Sequence, residues 1–224
     1  MAPMCGRYAI TTDPEVLAAL LGLAEVPAFD VRYNLAPTQL APVARRNPSG
    51  EVTLTPLRWG LVPAWAKDAS FGARTINARS ETAAEKPSFR SAWKQRRCIV
   101  PASWFYEWRS DGGKLKTPLR IERRDGEALT FAGLWESWKG NSEASGFESF
   151  TILTTAANGA IAPLHDRMPV ILCDREARER WLDLHTPDAA SLMRPAPDDL
   201  LHFFPVSTRV NSVRNEGPEL GAPA

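Results

Sequence analysis

Cysteine, histidine and net charge are all scarce in this chain. Its 224 residues carry three cysteines (Cys5, Cys98 and Cys173) and three histidines, with no C-x-x-C pair and no ligands at metal-binding spacing. An odd, dispersed set of cysteines excludes a disulfide framework and fits a reducing compartment. The formal charge is only +1, so no global field draws the chain to nucleic acid or to a membrane, and any such binding must come from a local site. No run approaches the roughly 18 apolar residues of a membrane span. The N-terminal segment also lacks the basic region and apolar core of a secretory signal. These absences point to a cytoplasmic protein, nucleoid-associated in a bacterium or nuclear in a eukaryote.

Proline, in contrast, is plentiful: 19 residues, scattered between short strand-like runs rather than gathered in a linker. The pattern predicts one α+β domain over residues 5–210, built on a curled, mostly antiparallel β-sheet with a barrel-like core and a few flanking helices. Thr12-Asp13-Pro14-Glu15 opens a helix with a capping side chain, a first-turn proline and an early acid. Leu40–Arg46 and Val52–Trp59 flank Asn47-Pro48-Ser49-Gly50 and read as a hairpin. Leu119–Arg123 and Ala128–Leu134 flank an Asp125-Gly126 turn and read as a second. Further strands are expected at Ile99–Val100, Ser103–Trp108, Phe150–Thr155, Val170–Leu172 and Phe203–Ser207, and further helices at Ser88–Gln95 and Asp174–Leu184. Residues 215–224, rich in Gly, Pro and Ala, are expected to form a disordered tail.

Four stretches do not read as generic core or loop. TINARSET (75–82) places Asn77, Arg79, Ser80 and Glu81 where hydrophobic alternation breaks down. PASWFYEW (101–108) sets Glu107 among aromatics, where it is either ion-paired or held at a raised pKa for proton transfer. PLHDRMP (163–169) fixes His165 and Arg167 in a loop stiffened by prolines. RWGLVPAW (58–65) offers Trp59 and Trp65 around Gly60 and Pro63 as a stacking platform. Each has a structural alternative: Asn77 as a turn cap, Glu107 as an arginine partner, the tryptophans as core. Cys98 and Cys173 lie in apolar runs and read as core fillers.

Taken together, MCGRY (4–8), YNLAPT (33–38), RWGLVP, NARSET, RCIVPA and LHDRMP occur in one order. In that order the chain resembles the SOS-response-associated peptidase family of abasic-site shields, from Cys5 to about Val206. The resemblance implies binding of single-stranded DNA, including single-/double-strand junctions, and covalent capture of abasic sites by an N-terminal cysteine, with no cofactor. It implies catalytic roles for Cys5, Asn77, Glu107 and His165. Arg7, Arg79, Arg90 and Arg167 would bind phosphates, and Trp59 and Pro37 would stack on or wedge beside bases. A monomer is expected.

The chemistry favours a terminal cysteine. An α-amine, with a reference pKa of about 7.7–8.0, condenses with the aldehyde of an opened abasic sugar, and the adjacent thiol then closes a five-membered thiazolidine. An internal cysteine has no such amine. Here Met1-Ala2-Pro3-Met4 precedes Cys5. Either Met4 is the functional start, which is the preferred expectation, or the chain cuts its own Met4–Cys5 bond by attack of the Cys5 thiol. The alternatives are a Cys-His-Asn peptidase acting in trans and a non-covalent single-strand binder.

Overall fold

The computed structural model describes residues 5–110, 112–113, 115–142 and 144–224, so the expectation for the leader 1–4 lies outside the described residues. The elements in chain order are β1 (Tyr8–Ile10), α1 (Pro14–Leu21), β2 (Arg32–Leu35), β3 (Leu40–Arg46), β4 (Val52–Trp59), β5 (Asn77–Arg79), α2 (Ser80–Ala83), α3 (Arg90–Gln95), β6 (Arg97–Ala102) and β7 (Trp104–Ser110). Then follow β8 (Lys116–Arg123), β9 (Leu129–Gly140), β10 (Ser145–Ala156), β11 (Arg167–Pro169), α4 (Arg175–Leu182) and β12 (Leu201–Pro205). Short 3-10 turns fill several connections.

Local chemistry explains the first elements. Asp13 caps α1, accepting from the Glu15 and Val16 amides, with Pro14 in the first turn and Gly22 closing the helix at φ +66°. Asp174 caps α4 by accepting from the Ala177 amide. The first hairpin forms as expected, with β3 and β4 paired from Arg46↔Val52 to Leu40↔Arg58 and Gly50 turning at φ +90°.

Two sheets result. One is antiparallel, in the order β12-β8-β7-β1-β2. In the other, β3, β4, β10, β9 and β6 pair in a ring that returns to β3, closing a five-stranded barrel with a single parallel contact between β4 and β10. Closure removes free edges from these strands. The expected mixed α+β domain with a barrel-like core is therefore present. Aromatic rings join the two sheets: Tyr8 meets Trp59 edge-on at 5.1 Å, and Phe105 meets Phe131 at 5.9 Å.

Three expectations need correction. The Asp125-Gly126 turn forms, but the strands on either side do not pair: β8 joins β7 and β12, whereas β9 joins β6 and β10. Leu129–Leu134 is buried throughout and satisfies both its edges inside the barrel, so nothing remains to hold β8. In place of the strand expected at Val170–Leu172, β11 spans Arg167–Pro169, and residue 171 makes only a single bridge to Phe131. Residues 215–224 are a packed strap rather than a disordered tail. Leu220 is fully buried, Glu216 binds the Arg32 side chain and the Tyr33 amide, and the Ala224 amide donates to the Pro205 carbonyl.

Candidate active site

The antiparallel register Tyr8↔Phe105, continued by the Tyr106 amide donating to the Arg7 carbonyl (3.0 Å), carries the chain back past Glu107. There the Cys5 N–H donates to Glu107 Oε1 at 2.7 Å. Cys5 has φ +44°, in the left-handed region that disfavours any residue with a side chain. Side chains alternate along β7, so Phe105 and Glu107 share one face while Trp104, Tyr106 and Trp108 share the other. The aromatics beside Glu107 in sequence consequently face away from it, and Trp104 and Tyr106 form a separate apolar cluster with Ala9, Val206 and Val210.

Glu107 is nearly inaccessible, and burial pushes its carboxyl above the usual range. The Cys5 N–H, the nearby His165 and the Trp108 N–H favour the carboxylate but do not cancel that effect. Burial, and then the Glu107 charge, push the Cys5 thiol well above its ordinary value. Cys5 is therefore a neutral thiol beside a proton-accepting carboxyl, unlike the thiolate of a Cys-His pair.

β10 positions the remaining candidates. Beyond its barrel contacts it pairs with β5 on one side, placing Asn77 opposite Ile152, and with β11 on the other, placing Arg167 opposite Ala156. His165 precedes β11 in an ordered turn, its amide bonded to the Ile161 carbonyl. Its Nδ1 lies 3.1 Å from the Arg167 amide and 2.8 Å from Asp166 Oδ1. Cys5 and Glu107 thus touch, and His165 lies within electrostatic range of Glu107. Asn77 sits half-buried on β5.

The expected DNA contacts divide sharply. Arg79 and Arg90 are exposed, and their guanidinium groups have no hydrogen bond among the described residues. Arg167 makes a bidentate pair with Glu81 at 2.5 and 2.8 Å and donates to the Thr154 carbonyl at 2.6 Å. That pairing holds Glu81 below the usual carboxylate range. Arg7 is spent within the protein, donating to Asn34 Oδ1 at 2.7 Å and to the Val210 carbonyl at 2.9 Å. Pro37 is half-buried beside Thr38, which turns at φ +75°.

Trp59 is not available for stacking. It is 1% exposed, stacks on Phe150 and donates Nε1 to the Ile76 carbonyl. The aromatic open to solvent is Trp65, 58% exposed and edge-on to Phe71 at 5.2 Å. Both tryptophans were legible as a platform in the sequence, but only burial separates them. Sequence patterning also gave no role to the buried Asn34 of YNLAPT, nor to the Tyr8 hydroxyl, which is buried without a partner among the described residues.

A family model described as SOS response associated peptidase (SRAP) matches residues 4–213. Similar proteins include the abasic site processing protein YoqW of Bacillus subtilis (strain 168), 39% identical over 223 residues that cover 97% of this chain and 98% of that protein. The abasic site processing protein HMCES of Gallus gallus is 36% identical over 222 residues, covering 85% of this chain and 66% of that protein. A crystal structure of a protein from Bacteroides thetaiotaomicron superposes with a TM-score of 0.84 at 27% identity, covering 98% of this chain and all of that one. A crystal structure from Bordetella bronchiseptica gives a TM-score of 0.79 at 31% identity, covering 91% and 100%.

Proposed function

Since the chain belongs to the SOS response associated peptidase family, we propose that it captures abasic sites in single-stranded DNA through Cys5. The α-amine of a terminal Cys5 attacks the aldehyde carbon of the opened sugar, and loss of one water gives an imine. The thiol adds to the imine carbon while its proton passes to nitrogen, closing a thiazolidine. Glu107 accepts a proton from the Cys5 ammonium and returns it at water loss, and its raised pKa suits it to both directions. His165 assists opening of the sugar at its ring oxygen, and Asn77 orients the amine or the opened sugar.

The 2.7 Å contact between the Cys5 nitrogen and Glu107 carries the proposal most directly. A cysteine peptidase acting in trans is disfavoured, because burial and Glu107 both oppose formation of the thiolate such an enzyme needs. Arg79 and Arg90 serve the phosphates, and Arg167 joins them where a phosphate replaces Glu81. Pro37 and Trp65, rather than Trp59, meet bases beside the lesion, including those at a strand junction.

The test is intact-mass measurement of a chain whose first residue is Cys5, before and after incubation with single-stranded DNA carrying one abasic site. The expected product is heat-stable and heavier by the oligonucleotide less one water, and it is absent for Cys5→Ala. A terminal Cys5 that yields no adduct would sink the proposal. In the chain as written, recovery of Cys5 as the first residue, lost together with Glu107→Gln, would identify self-cleavage as the route to the free amine.

A further inference from the structure

Arg7 is two residues from Cys5, yet its side chain is taken up by contacts within the protein. One guanidinium nitrogen serves both Asn34 Oδ1 and the Val210 carbonyl, the other reaches the Asn211 carbonyl at 3.5 Å, and the group lies 5.8 Å from the centre of the Trp108 ring. Asn34, on β2, is fully buried. Its Nδ2 donates towards three carbonyls in and just before the C-terminal strap: Val210 at 3.3 Å, Ser212 at 3.0 Å and Asn215 at 3.0 Å. Trp108, one residue past Glu107, donates Nε1 to Asn211 Oδ1 at 2.7 Å. The strap is fastened further along by Glu216 on Arg32 and by Arg120 donating to the Gly221 carbonyl.

These contacts tie the entry to Cys5, the strand bearing Glu107 and the 3-10 turn Thr208–Asn211 together at one point. Cys5 holds an unfavourable positive φ and is followed by only Gly6 before Arg7. The segment has one ladder bond, from the Tyr106 amide to the Arg7 carbonyl, and without the Arg7 side-chain anchor its Gly-containing start would relax out of that conformation. We propose that Arg7, Asn34 and the 3-10 turn Thr208–Asn211 form a clamp that positions the Cys5 nitrogen against Glu107, so that Arg7 is a positioning residue rather than a phosphate contact. The clamp itself needs no reactive Cys5, whereas its effect on rate rests on the proposed capture of abasic sites.

The first readout is amide hydrogen exchange across residues 5–8 in the full chain, which needs no DNA. Arg7→Ala and, as a milder lesion of the clamp's 3-10 turn, Asn211→Ala are expected to speed exchange there while the barrel amides stay protected. Unchanged exchange at residues 5–8 would overturn the clamp whatever the chemistry of Cys5. The second is adduct formation on abasic single-stranded DNA, with wild type and Arg7→Lys begun at Cys5. Lysine keeps the charge but cannot serve three acceptors with a planar fork. The clamp predicts a roughly tenfold lower rate at saturating DNA with the half-saturating DNA concentration unchanged, as misplacement of a reacting group costs rate. An unchanged saturating rate with a raised half-saturation would make Arg7 a phosphate contact and overturn the proposal. A wild-type chain that forms no adduct refutes abasic-site capture, while the exchange result still decides the clamp.

Discussion

A carboxyl as deeply buried as Glu107 is uncomfortable when charged, and this gives it a measurable signature. Its folded pKa lies above the unfolded one. Such a group stabilises the fold below its unfolded value of about 4.3, and that contribution disappears as pH rises through the folded value. At pH 8, where the unfolded carboxyl is charged, burial of Glu107 therefore costs the native state stability that Glu107→Gln restores, while the amide oxygen still accepts from Cys5. The substitution is expected to raise the thermal midpoint at pH 8, with the gain vanishing near pH 4, and to slow adduct formation by roughly 10²- to 10⁴-fold. Scanning calorimetry at the two pH values, together with the adduct rate, checks both. A fall in the midpoint at pH 8 would mean the carboxylate is compensated by contacts stronger than those described.

Between β4 and β5, a backbone crossing fixes how the candidate DNA-facing loop leaves the barrel. Gly60 adopts φ +114°, and a Cβ there would lie 2.6 Å from the Gly72 carbonyl oxygen; a Cβ on Gly72 would meet the Gly60 oxygen equally closely. The Gly60 amide donates to Phe150, the Leu61 amide to Thr75 and the Val62 amide to the Ser149 hydroxyl, so the crossing sets the path to Trp65 and, across it, to Asn77. Gly60→Ala combines backbone strain with overpacking against main chain that cannot move aside. A loss of about 3 kcal/mol in folding stability is expected, seen as a lower urea midpoint at unchanged slope. A variant as stable as wild type would mean that the loop can separate from the barrel.

For the whole molecule, the near-zero net charge makes DNA binding a property of a few arginines. If Arg79, Arg90 and Arg167 contact phosphates, the logarithm of the affinity for single-stranded DNA should fall against the logarithm of salt with a slope of about −2. Arg79→Ala should make that slope shallower by about 0.7, and titration with a fluorescent oligonucleotide at several salt concentrations reads both. A slope of about −5 would require contacts elsewhere on the surface. Arg7, held in the clamp, should leave the slope unchanged when replaced by lysine or alanine.

Features governed by neighbours along the chain were determined by the sequence alone. Asp13 and Asp174 cap their helices because a short side-chain acceptor meets amides two or three residues on, and the β3–β4 hairpin follows from a turn flanked by strand formers. The ordered motifs likewise pointed to the family to which the chain belongs. Partner choice and burial were decided only in three dimensions. The Asp125-Gly126 turn is locally sound, yet closure of the barrel takes β9 from β8. Trp59 and Trp65 look alike in the sequence, and only the sheet packing buries the first and exposes the second. The internal roles of Arg7 and of the last ten residues were hidden because key partners are far away in the chain: Arg7 and Val210 are 203 positions apart, and Arg32 and Glu216 are 184 apart. Turn and cap energies are local, whereas a strand's partner or a side chain's exposure depends on every surface that competes for it.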